Sequence, residues 1–103
     1  MPTIPILVIR AGEVCKVVPP VNIVREGDSV QWRNRTGDRI TVFFRAGIFD
    51  EDDPLALDIA DGNQASKTVE ANAPYGVFPY SIFCYKTNNN AIGNSDPEII
   101  VDA

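Results

Sequence analysis

Apolar and polar residues alternate along most of this 103-residue chain, and no stretch keeps its apolar positions three to four residues apart. Alternation with period two places successive side chains on opposite faces of an extended strand, so it favours sheets and excludes amphipathic helices as the main element. Turn formers break the pattern at short intervals: Ala11-Gly12-Glu13, Pro19-Pro20, Glu26-Gly27-Asp28, Thr36-Gly37-Asp38, Asp61-Gly62-Asn63 and Ala73-Pro74-Tyr75-Gly76. Strands are expected over residues 3–10, 14–18, 21–24, 29–34, 39–45, 66–70, 77–85 and 98–102. Residues 55–59 read either as a short helical turn or as an edge strand. Val30, Trp32, Ile40, Val42 and Phe44 are expected to form one core face of a hairpin, with Phe43 on the opposite side. Tyr80, Ile82 and Cys84 share one face of the late strand, and Ile99 and Val101 point inward from the last. Seven to eight short strands at this spacing predict an all-β Greek-key sandwich, built as a single domain over residues 1–103.

Composition narrows the chemistry. Histidine is absent, which removes Ser-His-Asp and Cys-His nucleophile systems and any imidazole-held zinc, haem or copper. Fourteen acids against nine bases give a net charge of −5, which argues against a nucleic-acid partner. The charge is uneven: seven cations face four acids through residue 45, and two cations face ten acids after it. No apolar run approaches the roughly 20 residues that span a bilayer, and the N-terminus lacks the basic start of a signal peptide. The expected location is cytoplasmic as written, or periplasmic or extracellular if a signal peptide has been removed. No phosphate-binding glycine loop or nucleophile elbow is present.

The order of the segments resembles the cupredoxins, the small blue-copper electron-transfer domains related to plastocyanin. The resemblance is carried by Val18-Pro19, by the stretch from Val24 through Gly27-Asp28-Ser29-Val30-Gln31-Trp32 to Asn34, by Thr41-Val42-Phe43-Phe44, by Tyr80-Ser81-Ile82-Phe83-Cys84, and by Glu98-Ile99-Ile100-Val101. It implies the cupredoxin-like sandwich over about residues 4 to 102. The family binds copper through two His, one Cys and usually a weak Met. The resemblance places the first His at Ile40, the thiolate at Cys84, the second His at Thr87 or Asn88, and the axial ligand at Ile92. Only Cys84 is retained, so the resemblance implies a fold kept without a type 1 copper centre and no cofactor.

The remaining candidates follow from single residues. The resemblance places Cys15 and Cys84 toward the same end of the sandwich, either as two thiols or as one disulfide. Without His, thiol activation would fall to Lys86 or an Arg. Asp50, Glu51, Asp52 and Asp53 form an acidic run that suits a cationic protein surface, with a solvated loop as the plainer reading. Arg33, Arg35 and Arg39 suit an anion-binding surface or protection of a sheet edge. Asn34-Arg35-Thr36 is a glycosylation triplet. The expected role is a non-catalytic binding or structural module, acting on a cationic protein or within a larger assembly. A redox role for Cys84, with Cys15 or a soft Cu(I) ion, and a small carboxylate-dependent enzyme are the alternatives.

Overall fold

The computed structural model describes residues 2–44, 47–49, 55–91 and 97–102. Eleven strands and no helix are found among them: β1 Thr3–Ala11, β2 Val14–Val18, β3 Val21–Val24, β4 Ser29–Arg35, β5 Ile40–Phe43, β6 Ala56–Ile59, β7 Gln64–Thr68, β8 Gly76–Pro79, β9 Ser81–Cys84, β10 Asn89–Asn90 and β11 Glu98–Val101. They form three hydrogen-bonded groups, in the orders β2-β1-β4-β7, β10-β9-β5-β6 and β3-β11-β8. Strand β1 runs parallel to β4, and β3 runs parallel to β11. The other pairings are antiparallel, so two of the three groups are mixed and β10-β9-β5-β6 is wholly antiparallel.

Alternation decides which residues enter the core. Ile6 and Val8 of β1, Cys15 and Val17 of β2, and Val30 and Trp32 of β4 are buried from one sheet. Ile40 and Val42 of β5, Ile59 of β6, and Ile82 and Cys84 of β9 are buried from the second. Val24, Ile99 and Val101 complete the core from the third. Each large apolar side chain removed from water contributes about 1.5–3 kcal/mol before the entropy of ordering is subtracted. An aromatic group centred on Trp32 closes one end. The indole stacks parallel to Phe44 at 6.2 Å and meets Phe49 and Tyr80 edge-on at 6.1 and 5.7 Å.

The expected strand at residues 29–34 and the one beginning at Ile40 do not form a hairpin. Strand β4 pairs with β1 and β7, whereas β5 pairs with β6 and β9. Their apolar faces meet across the core, which satisfies the same burial pattern without a shared ladder. The strand count is also higher than seven to eight. The expected strand at 77–85 divides at Tyr80, whose N–H bonds Pro97 O at 2.9 Å, so β8 joins β11 and β9 joins β5. Residues 55–59 contain the edge strand β6, not a helical turn. Gly27, at φ 83°, turns the chain from β3 into β4 and donates to Val69 O at 2.9 Å.

Strands from the basic and acidic parts of the sequence are neighbours among the described residues. Strand β3 of the basic half lies beside β11 of the acidic half, and β4 lies beside β7.

Candidate functional site

The end of the sandwich opposite the aromatic group is organised by Asn34, which is fully buried at the end of β4. Its amide nitrogen donates to Asp38 O at 2.7 Å and to Ile59 O at 2.9 Å. Its amide oxygen accepts from Thr36 N at 3.0 Å and Thr36 Oγ1 at 2.8 Å. These bonds hold the crossing from β4 to β5 against the end of β6. They also remove Asn34 from glycosylation in the folded chain, because both its amide groups are engaged inside the protein. Arg10 Nε donates to Thr36 O at 3.2 Å and fixes the same crossing to β1.

Strands β5 and β9 meet at this end with Ile40 opposite Cys84 in the ladder. Both side chains are fully buried. Cys15 of β2, also fully buried, is the polar neighbour of the Cys84 thiol, and the two cysteines are unbridged. The two cysteines therefore reach across from one sheet to the other. Burial pushes the Cys84 thiol well above the usual thiol range, and the hydrogen bond and charge interaction with Cys15 push it the same way. Thr87, three residues after Cys84, directs its hydroxyl to Cys15 Sγ at 3.9 Å.

Thr87 also lines an open groove of about 330 Å³ together with Arg10, Gly12, Glu13 and Lys86. Arg10 also donates from Nη1 to Gly12 O at 2.8 Å, which holds its guanidinium along the β1–β2 turn. The groove carries two cations and one carboxylate. It lacks the paired acids that carboxylate catalysis needs. Arg10 and Lys86 are far apart in sequence, so only the strand order reveals that they share a surface with Thr87.

The structure brings together three of the four positions read as copper ligands: Ile40 and Cys84 touch one ladder register, and Thr87 reaches the neighbouring sulfur. Ile92 lies outside the described residues, as do Asp50, Glu51, Asp52 and Asp53. The donors present do not fit a type 1 centre. Ile40, the position expected by resemblance to hold the first imidazole, is a buried aliphatic side chain, and the sequence contains no histidine. Nor is Cys84 an activated nucleophile, because burial, and after it the interaction with Cys15, disfavours its thiolate.

The outer face of β6, β5 and β9 carries a second polar and aromatic group. Thr41 Oγ1 donates to Asp58 Oδ1 at 2.5 Å and lies 3.2 Å from Tyr85 OH. Arg39 sits over the Tyr85 ring at 4.2 Å, and Tyr85 meets Phe83 edge-on at 5.0 Å. Arg39 is thus committed to an aromatic partner. Arg33 bonds Gln31 Oε1 at 2.9 Å. Arg33 and Arg39 of the anion-surface reading thus have separate partners.

Sheets packed around one core, with parallel β1–β4 and β3–β11 pairs and a cysteine closing the late strand at one end, define a cupredoxin fold. Among solved structures, the chain is similar to an amicyanin variant in its reduced state, at 24% identity and a TM-score of 0.57 over 95% of this chain and 82% of that one. A Cu(I) form of another amicyanin variant gives 24% identity and a TM-score of 0.56 over the same shares. A purple cupredoxin from Nitrosopumilus maritimus is 12% identical, with a TM-score of 0.59 over 96% of this chain and 99% of that one. No family model matches the sequence, and no curated protein matches it.

Proposed function

We propose that this cupredoxin-fold domain is a non-catalytic binding module that works through its surface and has no type 1 copper centre. The observation that carries this reading is the ladder register of Ile40 with Cys84: a fully buried aliphatic residue stands where an imidazole would have to face the thiolate. A trigonal set of two imidazoles and one thiolate is what holds copper poised between its two oxidation states, and one thiolate beside Ile40 cannot supply it. The acidic balance of the chain suits a cationic protein partner or a place in a larger assembly.

Voltammetry tests this reading. Protein equilibrated with Cu(II) and then desalted is expected to show no reversible one-electron couple from bound copper. A reversible couple that survives desalting would overturn it.

A thiol redox role is the second reading. It is favoured by the contact of Cys15 with Cys84, while the raised Cys84 pKa slows any attack by that sulfur.

A further inference from the structure

We propose that the outer face of the β2-β1-β4-β7 group is a docking surface for an extended acidic segment of a partner protein. The chain has fourteen acids, yet none of them lies in these four strands. Five of the nine cations do: Arg10, Lys16, Arg33, Arg35 and Lys67. Alternation divides them. Lys67 turns inward, buried over the Phe44 ring at 5.5 Å, and Arg10 is tied to the backbone carbonyls of Gly12 and Thr36 at the end of β1. Lys16 stands between buried Cys15 and Val17, and Arg33 and Arg35 flank buried Asn34, so these three face outward.

The ladders gather the three charges. Ile9 is opposite Lys16 on one side and Arg35 on the other, while Leu7 is opposite Val18 and Arg33. A strand spacing of about 4.8 Å puts Lys16 and Arg35 about 10 Å apart across Ile9, and a step of two residues puts Arg33 about 7 Å along β4 from Arg35. Leu7 and Val18 are exposed beside these charges, an apolar strip that a covering segment would remove from water. Arg33 Nε donates to Gln31 Oε1 at 2.9 Å, which fixes the guanidinium in advance and lowers the ordering cost of binding. Glu13, Asp28, Asp38 and Asp61 flank the four strands without entering them, and the last three accept backbone N–H groups from Arg25, Arg39 and Gly37.

The charge pattern selects the partner. A guanidinium pairs with a carboxylate through parallel N–H groups, and an extended segment with a carboxylate at every second residue repeats them about 7 Å apart, the spacing of Arg33 and Arg35. Charges act over a Debye length of about 8 Å at physiological salt, so a segment lying on this face meets its cations alone. A bilayer or a duplex extends beyond the face and meets the rest of the chain, where four cations stand against fourteen acids.

This surface goes beyond the binding-module reading, whose partner is cationic. It lies on the opposite side of β1 and β4 from the core that holds Ile40 and Cys84, so a reversible copper couple would defeat that reading and leave this one standing. The test is a titration of the isotope-labelled chain at low salt, followed by amide NMR shifts. The probes are two peptides of about ten residues and equal composition, one alternating glutamate with serine and one with the glutamates in a block, together with phosphatidylserine vesicles. Shifts centred on Ile9, Lys16, Arg33 and Arg35 are expected, with binding that falls as salt rises and is about twofold to fivefold tighter for the alternating peptide. The triple substitution Lys16→Gln, Arg33→Gln, Arg35→Gln is expected to weaken binding about tenfold or more, while Arg25→Gln changes it by less than about twofold. Shifts that map off this face, equal affinity for the two peptides, or unchanged affinity in the folded triple variant overturns the proposal. So does a chain that binds the vesicles and neither peptide.

Discussion

At the scale of single residues, two buried polar side chains make opposite demands. Asn34 satisfies its amide completely inside the protein, with two donated and two accepted bonds. Asn34→Ala leaves several buried groups without partners, and each such loss costs about 1–3 kcal/mol. A destabilisation of about 2–4 kcal/mol is expected in urea unfolding; a change below about 0.5 kcal/mol would mean the crossing from β4 to β5 is held by other means. Tyr80 is the contrary case. Its hydroxyl and Trp32 Nε1 are buried without a hydrogen-bond partner. Burial raises the Tyr80 pKa from 10.0 to about 12, with the nearby Trp32 side chain pulling it partly back. Below pH 10 the phenol is neutral in both folded and unfolded chains, and its contribution to stability is complete. Between pH 10 and about 12 the unfolded chain ionises first, so stability falls as pH rises, by up to about 2–3 kcal/mol. Tyr80→Phe keeps the ring packing and removes the unpaired hydroxyl. Its neutral-pH stability is expected to be unchanged or higher by about 1 kcal/mol, with a shallower alkaline decline than the parent chain. An equally steep decline in the variant would contradict the assignment.

At the scale of elements, the two faces of one strand pair provide the sharpest test of the alternation. Ile99 of β11 is fully buried, while Ile23 of β3, one register away, is 63% exposed. Ile99→Ala should cost about 2–5 kcal/mol by loss of packing and the cavity left behind. Ile23→Thr should change stability by no more than about 0.5 kcal/mol. Denaturant midpoints for the two variants check both, and comparable losses would place β3 and β11 differently from the structure. This alternation was readable from the residues, because burial on one face is a local property of each strand. Pairing was not readable. Val30, Trp32, Ile40, Val42 and Phe44 are all core residues as expected, yet their strands belong to different sheets. Period two states which face is buried and is silent on which strand lies alongside. The division at Tyr80 was hidden for the same reason, since alternation continues through the residue at which the ladder partner changes.

At the scale of the whole molecule, the topology converts distant residues into one site. Cys15 and Cys84 were expected at a common end by resemblance, and Thr87, three residues after Cys84, reaches Cys15 Sγ with its hydroxyl. The groove that Thr87 lines draws Arg10 from β1, Glu13 from the turn after it, and Lys86 and Thr87 from the turn after β9, a combination with no local signature. Lys86 and an Arg had been the expected activators of a thiol, and they do share the groove, but burial keeps Cys84 protonated. The missing imidazole is likewise a property of the whole arrangement. Composition shows that histidine is absent, and the fold shows that Ile40 occupies the position facing Cys84. The central claim is that this end of the fold is packed core and not a type 1 copper centre. Visible absorption during titration of the reduced protein with Cu(II) tests it most directly. The prediction is no intense thiolate-to-copper band at any copper ratio. An intense visible band that saturates at one copper per chain and disappears in Cys84→Ser would contradict it.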